Sequence, residues 1–223
     1  MSPHRLDDAA VAAVYQTIHG RRDIREFLPG PLPEGTLERL FQAGHTAPSV
    51  GYMQPWRMIH ITDPLLRESI AALVEQERRR TAAALPSRKD EFLKLKVEGV
   101  KSCAEVVVVA LMDGCERHIF GRRTLPEMDL ASAACAIQNM WLAARAEGIG
   151  LGWVSIFDPT ALAALLAMPP GARPIAILCI GHVAAFPERP VLDALGWGCR
   201  LPLGRVVFEN RWPADAEPTP PAY

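Results

Sequence analysis

The sequence has no excess charge of either sign. Across 223 residues, 24 Lys and Arg face 25 Asp and Glu, a formal net charge of −1. That balance excludes the electrostatic footprint of a protein that grips nucleic acid or an anionic membrane. No apolar run reaches the roughly 20 residues of a membrane-spanning helix. The first residues, Met1 to Asp8, are polar and acidic rather than signal-like. A soluble, cytoplasmic protein is expected. Cysteine is scarce and odd in number, five residues with no CxxC pair, which argues against a disulfide framework and against a zinc site. Cys135 and Cys179, set in apolar runs, are expected as small core residues. The six histidines show no HExxH or other close ligand spacing, so no metal site is expected. There is no GxSxG to make Ser155 a hydrolase nucleophile. There is also no GxGxxG to hold a dinucleotide in a Rossmann site.

What is present is an ordinary globular balance, 49% hydrophobic and 22% charged residues, enough for a sizeable core. One stretch stands out: Gly20-Arg21-Arg22-Asp23-Ile24-Arg25-Glu26-Phe27. Arginine suits forked recognition of phosphate oxygens, and three fall within five residues here. A carboxylate in their midst cancels charge that a simple anion site needs. Asp23 fits better if the anion belongs to a larger ligand whose reactive part faces the carboxylate. A solvated basic turn with a local ion pair is the plainer alternative.

The surrounding pattern alternates helices and strands. Asp7 or Asp8 caps a first helix to about His19, with Val11, Val14, Tyr15 and Ile18 on one apolar face. Gly20 ends it. A second helix spans about 34–43, with Leu37, Leu40 and Phe41 inward. The loop Ala47-Pro48-Ser49-Val50-Gly51-Tyr52-Met53-Gln54-Pro55-Trp56 offers hydrogen-bonding groups and flat surface, a mix that suits an aromatic heterocycle. A structural turn with Trp56 in the core is equally open. A strand at 57–62 leads to a helix from Pro64 with Leu66, Ile70, Leu73 and Val74 on one face. That helix ends in Arg78-Arg79-Arg80, a solvated end. Residues 81–103 are expected as a charged, weaker helix and a lid.

AEVVVVALM, 104–112, reads as a central strand buried on both faces. After a loop at 113–128, Asp129 is expected to cap a helix to about Glu147 that is apolar or small on nearly every side. Such a helix belongs in a core or against a second subunit. Gly150 to Ile156 reads as a strand whose glycines admit a close neighbour, and Ser155 is a lone hydroxyl in it. A helix at 158–168 and a buried strand at 174–183 follow. Residues 184–223 are proline-rich, with a strand-like 205–208, and are expected to wrap the body or a partner. One domain, 1–212, and a disordered tail, 213–223, are expected.

The order of these motifs resembles the FMN-dependent nitroreductase superfamily: a helix, Arg-Arg-x-x-Arg, APS…QPW, an Ala-rich helix, then GxGxxW. Asp23, APSVGYMQPW, FGRRTLPEMDL, GWVSIFDP and GWGCRLPL resemble more closely one branch of it, the 5,6-dimethylbenzimidazole synthases. Ordinary nitroreductases usually have Ser or Thr at Asp23 and Asn at Tyr52. The resemblance implies an α+β homodimer with a central mixed, mostly antiparallel sheet flanked by helices and an exchanged C-terminal segment. FMN would sit at the dimer interface. It implies that reduced FMN is consumed with O₂ to give 5,6-dimethylbenzimidazole, the lower ligand of vitamin B12, and erythrose 4-phosphate. A separate NAD(P)H-dependent flavin reductase would supply the reduced flavin. By the same resemblance Asp23 and Ser155 are catalytic. Arg21, Arg22, Asp23, Ile24 and Arg25 bind the flavin, joined by Ser49, Leu95, Gly152, Ser155 and Arg200. Asp23 is expected to stay ionised, because neighbouring cations lower its pKa, and to act as a base or proton relay. Ser155 is expected as a buried hydroxyl at the flavin edge. A conventional nitroreductase or flavin reductase with recycled FMN, and a flavin carrier without turnover, are the rival readings.

Overall fold

A run of β-branched residues organises the layers. The computed structural model describes residues 3–96, 99–112, 114, 117 and 119–213. Strand β2 (Glu105–Leu111) is buried from Val106 onward, as a strand covered on both faces must be. It pairs antiparallel with β1 (Trp56–Ile61) on one side and β4 (Arg173–Gly181) on the other. Strand β3 (Gly150–Val154) pairs antiparallel with β4, giving the order β1-β2-β4-β3. The parallel element of this mostly antiparallel sheet is an isolated bridge, Asp23 to Leu151.

Alternation along the strands divides the core. Val107, Val109, Leu178, Ile180 and Leu151 face α2 (Thr36–His45) and α5 (Met128–Ala146), meeting Leu40, Ala136, Ile137, Met140 and Trp141. Val106, Val108, Ile177 and Val154 face the other way, towards Ile70, Ala71 and Val74 of α3 (Pro64–Ala83) and Leu162 of α6 (Pro159–Leu165). The result is an α+β fold with helices on both faces of one sheet. Among the described residues no helix is long and apolar enough to cross a membrane.

The capping chemistry largely follows the sequence. Asp7, at the start of α1 (Asp8–Gly20), accepts from the Ala10 amide at 2.8 Å. Asp158 accepts from the Thr160 and Ala161 amides ahead of α6. Asp129 does not cap α5. The cap position is Glu127, and Asp129 is a buried helical residue whose Oδ2 lies 3.5 Å from Arg122. It stays in the first turn of α5, where its Oδ1 accepts from the Leu130 amide at 2.8 Å while Oδ2 faces the partly buried Arg122 guanidinium.

Two further expectations are corrected, and the expected apolar face of α1 is left uncovered among the described residues. The apolar face of α1 is not in the core: Val14, Tyr15 and Ile18 are 50%, 59% and 44% exposed, and no α1 residue is buried. Cys135 is exposed on the outer side of α5, whereas Cys179 is buried in β4. Residues 205–208 form no strand, because the Val206 and Val207 amides both turn back onto Leu203 O at 3.0 Å. This turn lies in a second unit, from Pro187 on, which also holds the short α7 (Val191–Ala194).

The stretch 81–103 contains the end of α3 and a short α4 (Lys89–Lys94) with Phe92 buried. It returns to the core at Val100 and Cys103. Arg67 of α3 fastens that return, donating to Val100 O at 2.5 Å, to Ala104 O at 3.2 Å and to the Cys103 carbonyl. Val97, Cys115 and residues 214–223 lie outside the described residues.

Gly152 and Gly150 of β3 admit close neighbours rather than open space, a main-chain carbonyl at the first and side chains at the second. A Cβ on Gly152 would stand 2.0 Å from Ile24 O, and one on Gly150 would stand 2.3 Å from Val183 Cγ1. Gly152→Ala is therefore expected to lower unfolding stability by about 3 kcal/mol, as an overpacked site does. Urea denaturation measures this, and an unchanged midpoint would show that the 23–24 segment shifts freely.

Candidate active site

The arginine-rich segment is held in an extended line from the end of α1 to the edge of β3. Arg21 leaves the helix with φ −63° and ψ 135°, its amide donating to Thr17 O. Ile24 N–H then donates to Leu151 O at 3.2 Å, which lays the chain beside β3. Helix α5 grips the same backbone from behind. Arg145 Nε donates to Gly20 O at 2.9 Å, and Trp141 Nε1 donates to Arg22 O at 3.0 Å. The Arg21 guanidinium stands 4.4 Å over the Trp141 ring, and that of Arg145 stands 4.1 Å over Phe186.

Asp23 is clamped from two directions. Its Oδ1 accepts from the Trp153 amide at 3.0 Å, and its Oδ2 pairs with Arg25 Nη2 at 2.6 Å. Arg25 Nη2 also donates to Trp153 O at 2.6 Å. The carboxylate, one guanidinium and the main chain of one β3 residue, Trp153, thus form a closed set of charge-assisted hydrogen bonds. The electrostatic outcome differs from the expectation. Burial raises the pKa of Asp23 above its ordinary value, outweighing the pull of Arg25, the Trp153 amide and Arg21. The side chain still keeps 42% of its surface open, so it is crowded by the chain without being sealed from water. A carboxyl tuned upward holds a proton more readily than a surface aspartate.

The cluster fits an anion. Arg25 Nη1 is buried with no hydrogen-bond partner among the described residues, a donor that a buried guanidinium rarely wastes. Arg22 directs Nη1 to its own backbone, to His19 O and Arg21 O at 2.7 Å each.

The other expected site residues are spread along the chain. Gly152 and Ile24 are together, since the glycine makes room for the Ile24 carbonyl. Ser155 lies just past the end of β3, two residues from the Asp23 anchor Trp153, and it is exposed rather than buried. It left the core because β3 stops at Val154, short of the expected Ile156. Leu95 closes α4 and is half-buried. Arg200 is an exposed residue of the second unit.

Ser49 shapes its own loop, its Oγ accepting from the Gln54 amide at 3.0 Å. Val50 N–H donates to Ser132 Oγ of α5 at 3.0 Å, which ties the loop to the helix. Gly51, Tyr52 and Gln54 all have positive φ (53°, 55° and 47°), and Tyr52 is 85% exposed. Trp56 takes the core option, buried with its Nε1 towards His45 Nδ1 at 3.4 Å. Sequence reasoning missed Trp141, Arg145 and Ser132. The first two stand one helical turn apart on an otherwise small-residue helix, and that spacing was the available signal.

Comparison with known proteins bears on the family of the chain. The model of the Nitroreductase family matches residues 18–182. A 5,6-dimethylbenzimidazole synthase of Rhodobacter capsulatus is 36% identical over 85% of this chain and 93% of its own. One of Rhodospirillum rubrum is 37% identical over 82% of this chain and 87% of its own. Among solved structures, a BluB-like flavoprotein of Clostridium difficile superposes with a TM-score of 0.68 at 16% identity, covering 89% of this chain and 99% of that one. The last shows the fold. With a carboxylate set among three arginines against β3, the chain belongs to the nitroreductase family, on the branch of its 5,6-dimethylbenzimidazole synthases.

Proposed function

We propose that the chain catalyses the oxygen-dependent fragmentation of reduced FMN to 5,6-dimethylbenzimidazole, the lower ligand of vitamin B12, and erythrose 4-phosphate. The observation that carries this is Asp23, locked between Trp153 N–H and Arg25 inside an arginine cluster. A carboxylate there is a liability for an enzyme that only holds and recycles FMN. It is useful where protons must be moved beside a bound phosphorylated flavin.

In this reading Arg21, Arg22 and Arg25 hold the phosphate and ribityl end, with Arg25 Nη1 as the donor still to be filled. Ile24, Ser49, Leu95, Gly152, Ser155 and Arg200 complete the flavin surround. Reduced FMN supplies both the electrons for O₂ and the atoms of the product. Asp23 takes or gives the proton at its open carboxylate edge. Its raised pKa makes it hold a proton more readily than a surface aspartate does. Ser155, exposed at the end of β3, orients the reacting group by a hydrogen bond. The stretch 81–103 acts as a lid that limits water and keeps NAD(P)H out. A separate NAD(P)H-dependent reductase in the cytoplasm delivers the reduced flavin.

The active form is a homodimer. The uncovered Val14, Tyr15 and Ile18 on α1 are the surface a second copy would bury, and the segment from Pro187 reaches across to it. Sedimentation should give a species of twice the 24.4 kDa chain mass, and Tyr15→Arg should shift it towards the single chain. A monomeric parent would remove this part of the reading.

The deciding test is a single turnover. The protein is mixed with chemically reduced FMN, air is admitted, and flavin absorbance and products are followed. Incomplete return of oxidised flavin with appearance of dimethylbenzimidazole is expected. Complete return would make the chain a nitroreductase relative or a flavin carrier. Asp23→Ala should keep flavin binding and slow product formation by about 10²–10⁴-fold, the usual worth of a positioned acid or base. Full activity would take Asp23 out of the chemistry.

The raised pKa of Asp23 also has a signature in stability. The folded chain binds this proton more tightly than the unfolded chain does. The associated stability is therefore complete below the ordinary value of 3.8 and is lost as pH rises through the raised one. Asp23→Asn has no such titration, so its stability relative to the parent should climb over that interval. Urea unfolding of both proteins from acid to neutral pH measures the difference, and one that stays flat or falls contradicts the desolvation of Asp23.

A further inference from the structure

Trp141 sits in the last two turns of α5 and is 8% exposed. A buried indole N–H needs an acceptor. The one it takes is Arg22 O, at 3.0 Å, in the middle of the arginine cluster. The face of the same ring carries the Arg21 guanidinium at 4.4 Å. A single side chain therefore fixes the backbone of one arginine and the side chain of its neighbour. One turn on, Arg145 holds the Gly20 carbonyl and braces the same segment. On its far side the segment is fastened to β3 through Ile24 and Asp23.

Arginine side chains have large rotamer freedom, and an anion that binds mobile arginines must freeze it. Arg21 and Arg22 have much of that freedom removed before any ligand arrives. We propose that Trp141 is a positioning residue for the anion-binding arginines. It presets Arg21 and Arg22 so that the cluster selects the phosphorylated form of the flavin over the unphosphorylated one. The inference rests on the reading of this cluster as the phosphate end of a flavin site.

The test compares equilibrium binding of FMN and of riboflavin to the full-length parent, Trp141→Phe and Trp141→Leu. The parent should favour FMN. Trp141→Phe keeps a ring under Arg21 but has no N–H to donate, and should weaken FMN binding roughly 5-fold, the scale of one hydrogen bond. Trp141→Leu loses the aromatic face as well and should weaken it by about 30-fold. Riboflavin affinity should move less than about twofold in both, since a preset cation acts on the phosphate. Urea midpoints show whether each variant is folded, and Trp141→Phe carries the test alone if the leucine variant is not. A parent without preference for FMN defeats the phosphate reading and this inference with it. A parent that discriminates, with variants that discriminate equally well, defeats the inference alone. Equal loss of both flavins makes Trp141 a packing residue and also defeats it.

Discussion

Ile24 O packs so tightly on Gly152 that a Cβ there would stand only 2.0 Å away. That approach sets the position of the whole arginine segment. It lets Ile24 N–H reach Leu151 O, brings Asp23 Oδ1 onto the Trp153 amide, and leaves Arg25 to bridge Asp23 and Trp153 O. None of these bonds would survive if the segment stood an ångström further out, because hydrogen bonds weaken steeply with distance and angle. The loop after α1 is thus built as a short parallel addition to the sheet edge. Its side chains inherit the rigidity of β3 and, through Trp141 and Arg145, of α5.

Much of the fold was legible because its signals are strong and local. The continuous β-branched run of β2 marks a strand covered on both faces, and the i, i+3, i+4 pattern of α3 places one surface against one layer. Pro64 and Pro159, each following an aspartate, start helices where they should. The failures came where a residue had two possible employments. Asp129 suits a helix cap and also suits Arg122, and it serves the partly buried guanidinium from the first turn instead of the cap position. The apolar face of α1 follows a core pattern, yet periodicity says only that a face wants cover, not which molecule covers it.

The site was legible in kind but not in wiring. Three arginines around an aspartate announce an anion and a titratable group. The sign of the pKa shift was not readable, because sequence shows the cations and hides the crowding by backbone that outweighs them. Ser155 stood in an apolar run and so looked buried, but β3 ends one residue earlier and turns it outward. Trp141 and Arg145 lie more than a hundred residues from the backbone they hold. No spacing rule connects positions that distant.

The raised pKa and the unfilled donor point the same way. Asp23 is opposed by one close cation, Arg25, whose Nη2 is shared with Trp153 O and whose Nη1 is buried without a partner among the described residues. An anion taken up by Nη1 adds negative charge beside the carboxylate and weakens the pull of Arg25 on it, and both effects raise the pKa further. Any ligand that covers the 42% of the side chain still open removes water and raises it again. In the proposed reading, filling the site would therefore raise the pKa of Asp23 further. In that reading, the arginines that would hold the flavin would also tie its arrival to the proton on Asp23.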